Sequence, residues 1–326
     1  MIKLLTKIKG EFILTCGAMG LILSIVVGGV LYWWYGSSDV YKDSNYYNDV
    51  CWLTSHNSFA HPIPTQSTVD AMLSRNILPN QTLTIEQQLE SGVRSFMIDL
   101  HLDGGGNIII AHGGVLFKQP LSPFLDTIKN WLDNHSKDII TIHFESYVGD
   151  YTKLINTLNS VGLAPYLFNL SSGTSWPTLG DMRKKNERLV IFSDNAKDVG
   201  HNIMFTKEYM ETDYNLIRSP NCEMRYDKRA NPYAVPAPVL FVMNHFYPLT
   251  IISGSYGINF DDKFPYITGS FIKSINKYED MLSRVCSCFK QFNKWPNFVT
   301  VDFVAASGQE SKIVSDINHN RIICPP

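Results

Sequence analysis

Short apolar runs alternate with helix-like segments through most of the chain after residue 50. The apolar runs predict strands at VCWLTS (50–55), SFMIDLHL (95–102), NIIIAHGG (107–114), DIITIHFES (138–146), RLVIFSD (188–194), PVLFVMNHF (238–246) and NFVTVDFV (297–304). Helices are predicted at TIEQQLESG (84–92), LSPFLDTIKNWLDNH (121–135) and YTKLINTLNSVG (151–162), with Ser122 as the N-cap of the second. Apolar strands that alternate with helices are typical of a parallel sheet buried on both faces. Their number favours an α/β fold closed into a distorted (β/α) barrel of the TIM type.

The first forty residues follow a different pattern. No charged residue occurs from Phe12 to Ser38, and a bilayer core needs about 20 such residues in a helix. Three lysines precede this run and an acidic residue follows it, which favours a cytoplasmic N-terminus. We therefore predict a basic cytoplasmic segment (1–11), a transmembrane signal anchor (12–36), a spacer (37–48) and an extracytoplasmic barrel (49–326). A cleaved signal peptide, which would release a secreted domain, is the alternative.

Composition narrows the class of protein further. Of the 326 residues 44% are hydrophobic, and the net charge is −2 with no basic stripe, which excludes a nucleic-acid partner. Five cysteines follow the predicted anchor, so at most two disulfides can form and one thiol remains. Cys286 and Cys288 are too close to pair with each other, so each needs a distant partner. A zinc site is the weaker interpretation. Asn80, Asn134 and Asn169 begin glycosylation triplets.

Polar residues gather where the predicted strands end, which is where barrel enzymes place their active sites. The candidates are His56, Asn57, Asp99, His101, His112, Glu145, Asp194, Asn244, His245 and Asp302. Taken singly, a carboxylate at a strand end is usually a cap, and a histidine is usually structural. Two histidines beside oxygen ligands suit phosphodiester cleavage, in which one imidazole removes a proton and the other donates one. Asn57, Asp99 and Glu145 are ligands of the kind that Ca²⁺ or Mg²⁺ prefers.

Several of these blocks resemble the phosphatidylinositol-specific phospholipase C X-domain superfamily, in particular its exported phospholipase C-like branch. They are HNSFA, GVRSFMIDLH, AHGG, IITIHFESYV, WPTLGDMRKKNERLVIFSD, LFVMNHF and PNFVTVDF, and they extend from about residue 50 to about residue 305. The resemblance implies His56 as general base, His112 as general acid, and Ca²⁺ held by Asn57, Asp99 and Glu145, with Mg²⁺ a weaker candidate. Met97 stands where metal-dependent members have a glutamate, which predicts a weaker metal site or one with fewer protein ligands.

Four further residues are predicted to bind the substrate or to support the catalytic histidines: Arg94, His101, Arg225 and Asp302. The predicted activity is that of a phosphoric diester hydrolase on a phosphoinositide-like or other phosphodiester lipid. Two alternatives stay open. One is a related barrel enzyme, a glycerophosphodiesterase or a sphingomyelinase D-like enzyme. The other is an inactive barrel that serves as a surface binding protein.

Overall fold

The computed structural model describes residues 41–61, 79–113, 116–170, 175–213, 222, 239–246 and 276–325. Residues Asp43–Pro326 form one compact unit, and Met1–Lys42 form another. The predicted anchor, 12–36, lies outside the described residues. No helix in the described ranges combines the length and the apolar character needed to cross a bilayer.

A single ten-stranded sheet organises the compact unit. Its strands are β1 (Trp52–Ser55), β2 (Ser95–Leu102), β3 (Ile108–His112), β4 (Leu116–Pro120), β5 (Ile140–Ser146), β6 (Leu189–Ser193), β7 (Met204–Phe205), β8 (Met210–Asp213), β9 (Leu240–His245) and β10 (Phe298–Val301). Eight of them run in the order β7-β6-β5-β2-β1-β10-β9-β8, and every neighbouring pair along this path is parallel. All seven strands predicted from the sequence are present.

The sheet forms an α/β half-barrel that resembles a TIM-type barrel. No hydrogen-bonded ladder joins β7 to β8 among the residues that the structure describes, so the predicted closure is not seen there. Strand β3 follows β2 after a short turn and lies outside this parallel path. β3 is antiparallel to β2, and β4 is antiparallel to β3. The two strands form a hairpin outside the main path, so His112 returns toward the barrel on an antiparallel strand.

Helices cover the outside of the sheet. They are α1 (Ile85–Glu90), α2 (Ser122–Asn134), α3 (Tyr151–Ser160), α4 (Leu179–Lys185), α5 (Thr206–Tyr209), α6 (Tyr278–Phe292) and α7 (Gln309–Asn318). Thr84 and Gln87 form a reciprocal capping box at the start of α1. Helix α2 begins at Ser122 itself and has no side-chain cap, so the predicted N-cap role of Ser122 is wrong. Leu125, Ile128 and Leu132 form its buried face.

An aromatic cluster closes the half-barrel at the amino ends of the strands. Tyr47 is fully buried, its hydroxyl lies 2.6 Å from Thr141 Oγ1, and its ring stacks on Trp176 at 4.9 Å. Tyr46 bridges the backbone of Thr178, the residue that caps α4. The chain belongs to the compact unit from Asp43 onward, so residues 43–48 of the predicted spacer (37–48) lie in that unit. The chain enters the barrel at the end opposite to the carboxyl ends of the strands.

Two disulfides fasten the C-terminal part of the chain. Cys222 is bonded to Cys288, and Cys286 is bonded to Cys324. Cys51 is buried and carries a free thiol. Each cysteine of the 286–288 pair therefore has a distant partner, as the sequence predicted.

Replacing Tyr47 by alanine should destabilise the protein by about 3–5 kcal/mol, because a fully buried aromatic ring leaves a cavity. Tyr46→Ala is the matched control, since that side chain is 49% exposed and should cost less than about 0.5 kcal/mol. Urea unfolding of the full chain, followed by tryptophan fluorescence, measures both values. Equal effects of the two substitutions would show that residues 43–48 are a spacer after all.

Candidate active site

His56 leaves the carboxyl end of β1 beside the carboxyl end of β10. Its backbone N–H donates to Val301 O at 3.0 Å, and its ring stacks on Phe246 with centroids 3.6 Å apart. Its Nδ1 lies 2.8 Å from Asp302 Oδ1. Asp302 immediately follows β10 and is 1% exposed. Burial raises the pKa of Asp302, while His56 and Asn80 oppose that shift by stabilising the carboxylate.

Asn80 is a residue of this site that the sequence analysis did not identify. Its side chain is 1% exposed; Nδ2 lies 3.2 Å from Asp302 Oδ1, and Oδ1 lies 3.3 Å from Asn57 Nδ2. An amide held in this way is not accessible for glycosylation in the folded protein, so that interpretation of the Asn80 triplet is excluded. Asn80 follows no predicted strand, and the glycosylation triplet that it begins carries no information about a role in the site, so no signal in the sequence could have placed it here.

Asn57 connects the Asp302 side of the site to the second histidine. Its φ is +41°, a left-handed conformation that asparagine tolerates better than most residues. Its Nδ2 lies 3.1 Å from His112 Nδ1 as well as contacting Asn80. Burial lowers the pKa of His112, the neighbouring His56 lowers it further, and Glu145 raises it. The structure therefore brings His56, Asn57 and His112 together.

Three carboxylates lie on neighbouring strands: Asp99 is within β2, Glu145 is near the end of β5, and Asp194 comes directly after β6. Asp99 and Glu145 are register partners on adjacent parallel strands, and Asp194 follows β6. Asp99 is 7% exposed and accepts no hydrogen bond from the described residues. Burial raises the pKa of Asp99 to about 8, with further contributions from the charges of Glu145 and Asp194. Glu145 accepts a 2.6 Å hydrogen bond from the hydroxyl of Tyr147, and Asp194 accepts one from Ser146 N.

The carboxyl ends of the strands form the mouth of the barrel. The oxygen ligands on the Asp99 side of this mouth fit a hard divalent cation. Asp99, Glu145 and Asp194 supply carboxylate oxygens, and Asn57 keeps its Oδ1 because its two bonds use Nδ2. The described residues include one set of three ligand-type side chains with atoms within 4.8 Å of one another, Asp213 with Cys222 and Cys288, and those two cysteines are disulfide-bonded. Asp99, Glu145 and Asp194 lie further apart than this, so a cation would have to draw them together.

The other predicted residues lie elsewhere. Arg94 precedes β2 at the amino end of the barrel, where its guanidinium pairs with Asp138 at 2.9 Å and lies over the ring of Trp131. It is therefore outside the site. His101 lies on the rim of the mouth and stacks on Tyr147 with centroids 4.5 Å apart. Arg225 lies outside the described residues. The Met97 backbone forms three hydrogen bonds with Ser58. The Ser58 amide and hydroxyl both donate to Met97 O, and the hydroxyl accepts from Met97 N.

Comparison with known proteins gives consistent matches. The family model described as PI-PLC X 1 (PI-PLC X) matches residues 44–318. A PI-PLC X domain-containing protein of Arabidopsis thaliana is 30% identical over 219 residues, which are 62% of this chain and 50% of that protein. The chain thus spans about half the length of that relative. PI-PLC X domain-containing protein 1 of Arthroderma benhamiae is 23% identical over 79% of this chain and 81% of its own length.

Solved structures match in fold. The phosphatidylinositol-specific phospholipase C of Listeria monocytogenes superposes with a TM-score of 0.55 at 15% identity, over 85% of this chain and 95% of that protein. The Staphylococcus aureus phosphatidylinositol-specific phospholipase C gives a TM-score of 0.51 at 17% identity, over 83% of this chain and 94% of its own.

Asp99→Asn should stabilise the metal-free protein at pH 8 more than at pH 4. The folded-state pKa of Asp99, about 8, lies above the value of an unfolded aspartate, so folded protein binds more protons than unfolded protein between these pH values. Stability conferred by Asp99 therefore falls as the pH rises, whereas an uncharged asparagine has no such dependence. Thermal unfolding in EGTA measures the difference. Asp126→Asn, on the exposed surface of α2, is the control, and a gain independent of pH would contradict the assignment.

Proposed function

Because the chain belongs to the PI-PLC X family, we propose that it is a phosphoric diester hydrolase of the phospholipase C type. The observation that carries this proposal is the pair His56 and His112 at one barrel mouth, with the buried carboxylate of Asp302 behind His56 and the Asn57 amide beside His112. In-line displacement at phosphorus requires a general base and a general acid near one another, and two imidazoles can fill these roles. Their proximity favours a catalytic barrel over one that only binds.

The two histidines would divide the proton transfers. His56, oriented by Asp302, would remove the proton from the attacking hydroxyl at the nitrogen that Asp302 does not contact. His112 in its imidazolium form would return a proton to the leaving oxygen. Its pKa is lowered in the free protein, and an anionic phosphodiester bound beside it would favour the imidazolium again.

We propose a phosphodiester lipid, such as a phosphoinositide, as the substrate class. A hydroxyl of the head group adjacent to the phosphoester would attack phosphorus, forming a cyclic phosphate, while the P–O bond to diacylglycerol breaks and His112 protonates that oxygen. Leu102 and Tyr147, which are 41% and 59% exposed, lie at the rim of the mouth. Apolar side chains beside an active site suit contact with a lipid surface.

A divalent cation, Ca²⁺ rather than Mg²⁺, is part of the proposal. Asn57, Asp99 and Glu145 would hold it, and a bound cation would lower the pKa of the attacking hydroxyl and neutralise charge on the phosphate. Asp194, whose charge contributes to the raised pKa of Asp99, would add a fourth oxygen ligand.

We also propose that the barrel works outside the cytoplasm, tethered by the predicted anchor (12–36), or secreted if that segment is cleaved. Two disulfides support an oxidising compartment, because such bonds persist in extracytoplasmic proteins. The charge asymmetry around the anchor supports an N-terminus on the cytoplasmic side.

His56→Ala and His112→Ala should each lower turnover by about 10²–10⁴-fold, because each removes one proton-transfer group. Release of labelled head group from mixed micelles, with a panel of phosphatidylinositol, glycerophosphodiester and sphingomyelin substrates, measures the loss. His135→Ala is the control, since that imidazole is exposed at the end of α2 and away from the mouth. Full activity in either variant would reject two-histidine catalysis, and turnover of glycerophosphodiesters alone would favour the related barrel enzymes.

Calcium should bind the wild-type chain and raise its melting temperature, while Asp99→Asn should weaken binding by at least about tenfold. One carboxylate ligand is removed by this change, and charge count is a main determinant of Ca²⁺ affinity. Isothermal titration calorimetry with Ca²⁺ and with Mg²⁺ measures affinity without reference to activity. Asp126→Asn serves again as the control; equal affinity in both variants would remove Asp99 from the ligand set.

A further inference from the structure

One chain of hydrogen bonds runs between the two histidines through two buried asparagines. It comprises His56 Nδ1 to Asp302 Oδ1 (2.8 Å), Asp302 Oδ1 to Asn80 Nδ2 (3.2 Å), Asn80 Oδ1 to Asn57 Nδ2 (3.3 Å) and Asn57 Nδ2 to His112 Nδ1 (3.1 Å). The two asparagines are 1% and 5% exposed. Because each amide has one donating and one accepting end, the chain has a direction.

The direction follows from Asp302. Its Oδ1 accepts from two neighbours, so Asn80 must point its NH₂ group at Asp302 and its carbonyl oxygen at Asn57. Asn57 must then point its own NH₂ group at Asn80. The second hydrogen of that same nitrogen is aimed at His112 Nδ1, which can only accept it. The orientation of both amides is thus determined by their partners.

The direction of this hydrogen-bond chain fixes the two imidazoles in opposite neutral tautomers. His56 Nδ1 lies 2.8 Å from Asp302 Oδ1 and 3.5 Å from Asn80 Nδ2, so the shorter contact makes it a donor to the carboxylate, and in its neutral form its Nε2 carries a lone pair. His112 accepts at Nδ1, so in its neutral form its Nε2 carries the proton. Both Nε2 atoms are the ring nitrogens that the chain leaves for other contacts.

We propose that Asn80 is a positioning residue that holds His56 and His112 in opposite neutral tautomers, one ready to accept a proton and the other presenting an N–H. This inference rests on the proposed function for its catalytic meaning, but the tautomers themselves do not depend on activity. Asn80 also holds the Asn57 amide so that its oxygen, rather than its nitrogen, is left for a cation.

The test is long-range ¹H–¹⁵N NMR of the full chain with ¹⁵N-labelled histidine, in EGTA at a pH where both rings are neutral. Wild-type protein should show His56 protonated at Nδ1 and His112 protonated at Nε2, with the two rings assigned from single His→Gln variants. Two identical tautomers in the wild type would overturn the proposal without any need for an Asn80 variant.

Asn80→Ala should convert His112 to a mixture of tautomers, because Asn57 becomes free to rotate, whereas His56 should keep its bond to Asp302. The matched control is Asn297→Ala, which removes another buried asparagine that bridges backbone groups at the amino end of the barrel. That variant should lose stability without moving either tautomer. An unchanged His112 tautomer in Asn80→Ala would overturn the role of Asn80.

Kinetics separate this proposal from the proposed function. Asn80→Ala should lower kcat about 10–100-fold with KM nearly unchanged, the usual cost of removing a group that orients a catalytic residue. Opposite tautomers in a protein with no phosphodiesterase activity would reject the proposed function and leave the positioning role standing. Phosphodiesterase activity in a wild-type protein whose two histidines have the same tautomer would reject the positioning role and leave the proposed function standing.

Discussion

The parallel register of β1 against β10 is the constraint on which the site depends. Ser55 pairs with Val301, so the next residue on each strand, His56 and Asp302, leaves the sheet at the same level. A slip of one residue would turn every side chain to the opposite face and separate the imidazole from its carboxylate. Gln81 holds this register at the mouth, because its Nε2 donates to His56 O at 2.7 Å and to Val301 O at 3.1 Å.

The two histidines reach one place by different routes. His56 arrives at the end of a parallel strand, where barrel chemistry is expected. His112 arrives on β3, which runs back along β2 after the turn that follows Leu102. The register shift between Ile110 and His112 orients the His112 side chain toward the mouth. The buried amides between them would be costly if unpaired, and each has its partners. A satisfied polar network of this kind fixes geometry at the mouth, while the aromatic cluster around Tyr47 closes the opposite end.

Local patterns predicted the strands and the main helices well, because each apolar run matched the period of its element. The apolar signature of β3 does not distinguish it from a parallel strand, but its connection does, because the five residues between β2 and β3 (103–107) are too few for a parallel crossover. Strand ends also identified His56, Asn57, Asp99 and Glu145 as neighbours, but Arg94 was misplaced because a motif position does not say which end of a strand it occupies. Asn80 depends wholly on tertiary contacts: its partners are 23 and 222 residues away in sequence.

The two halves of the mouth differ in the charge that they would present to a phosphodiester. The half around Asp302, Asn80 and Asn57 compensates its one buried carboxylate with hydrogen bonds. The half around Asp99, Glu145 and Asp194 concentrates negative charge where the proposed anionic substrate would approach, and like charges at short range disfavour one another. With a pKa of about 8, Asp99 keeps a proton at neutral pH when no cation is present, which removes only one of those charges. Under the proposed function a divalent cation would offset the rest, so binding of an anionic substrate would be linked to filling of the acidic half, and the histidines would act once that half is neutralised.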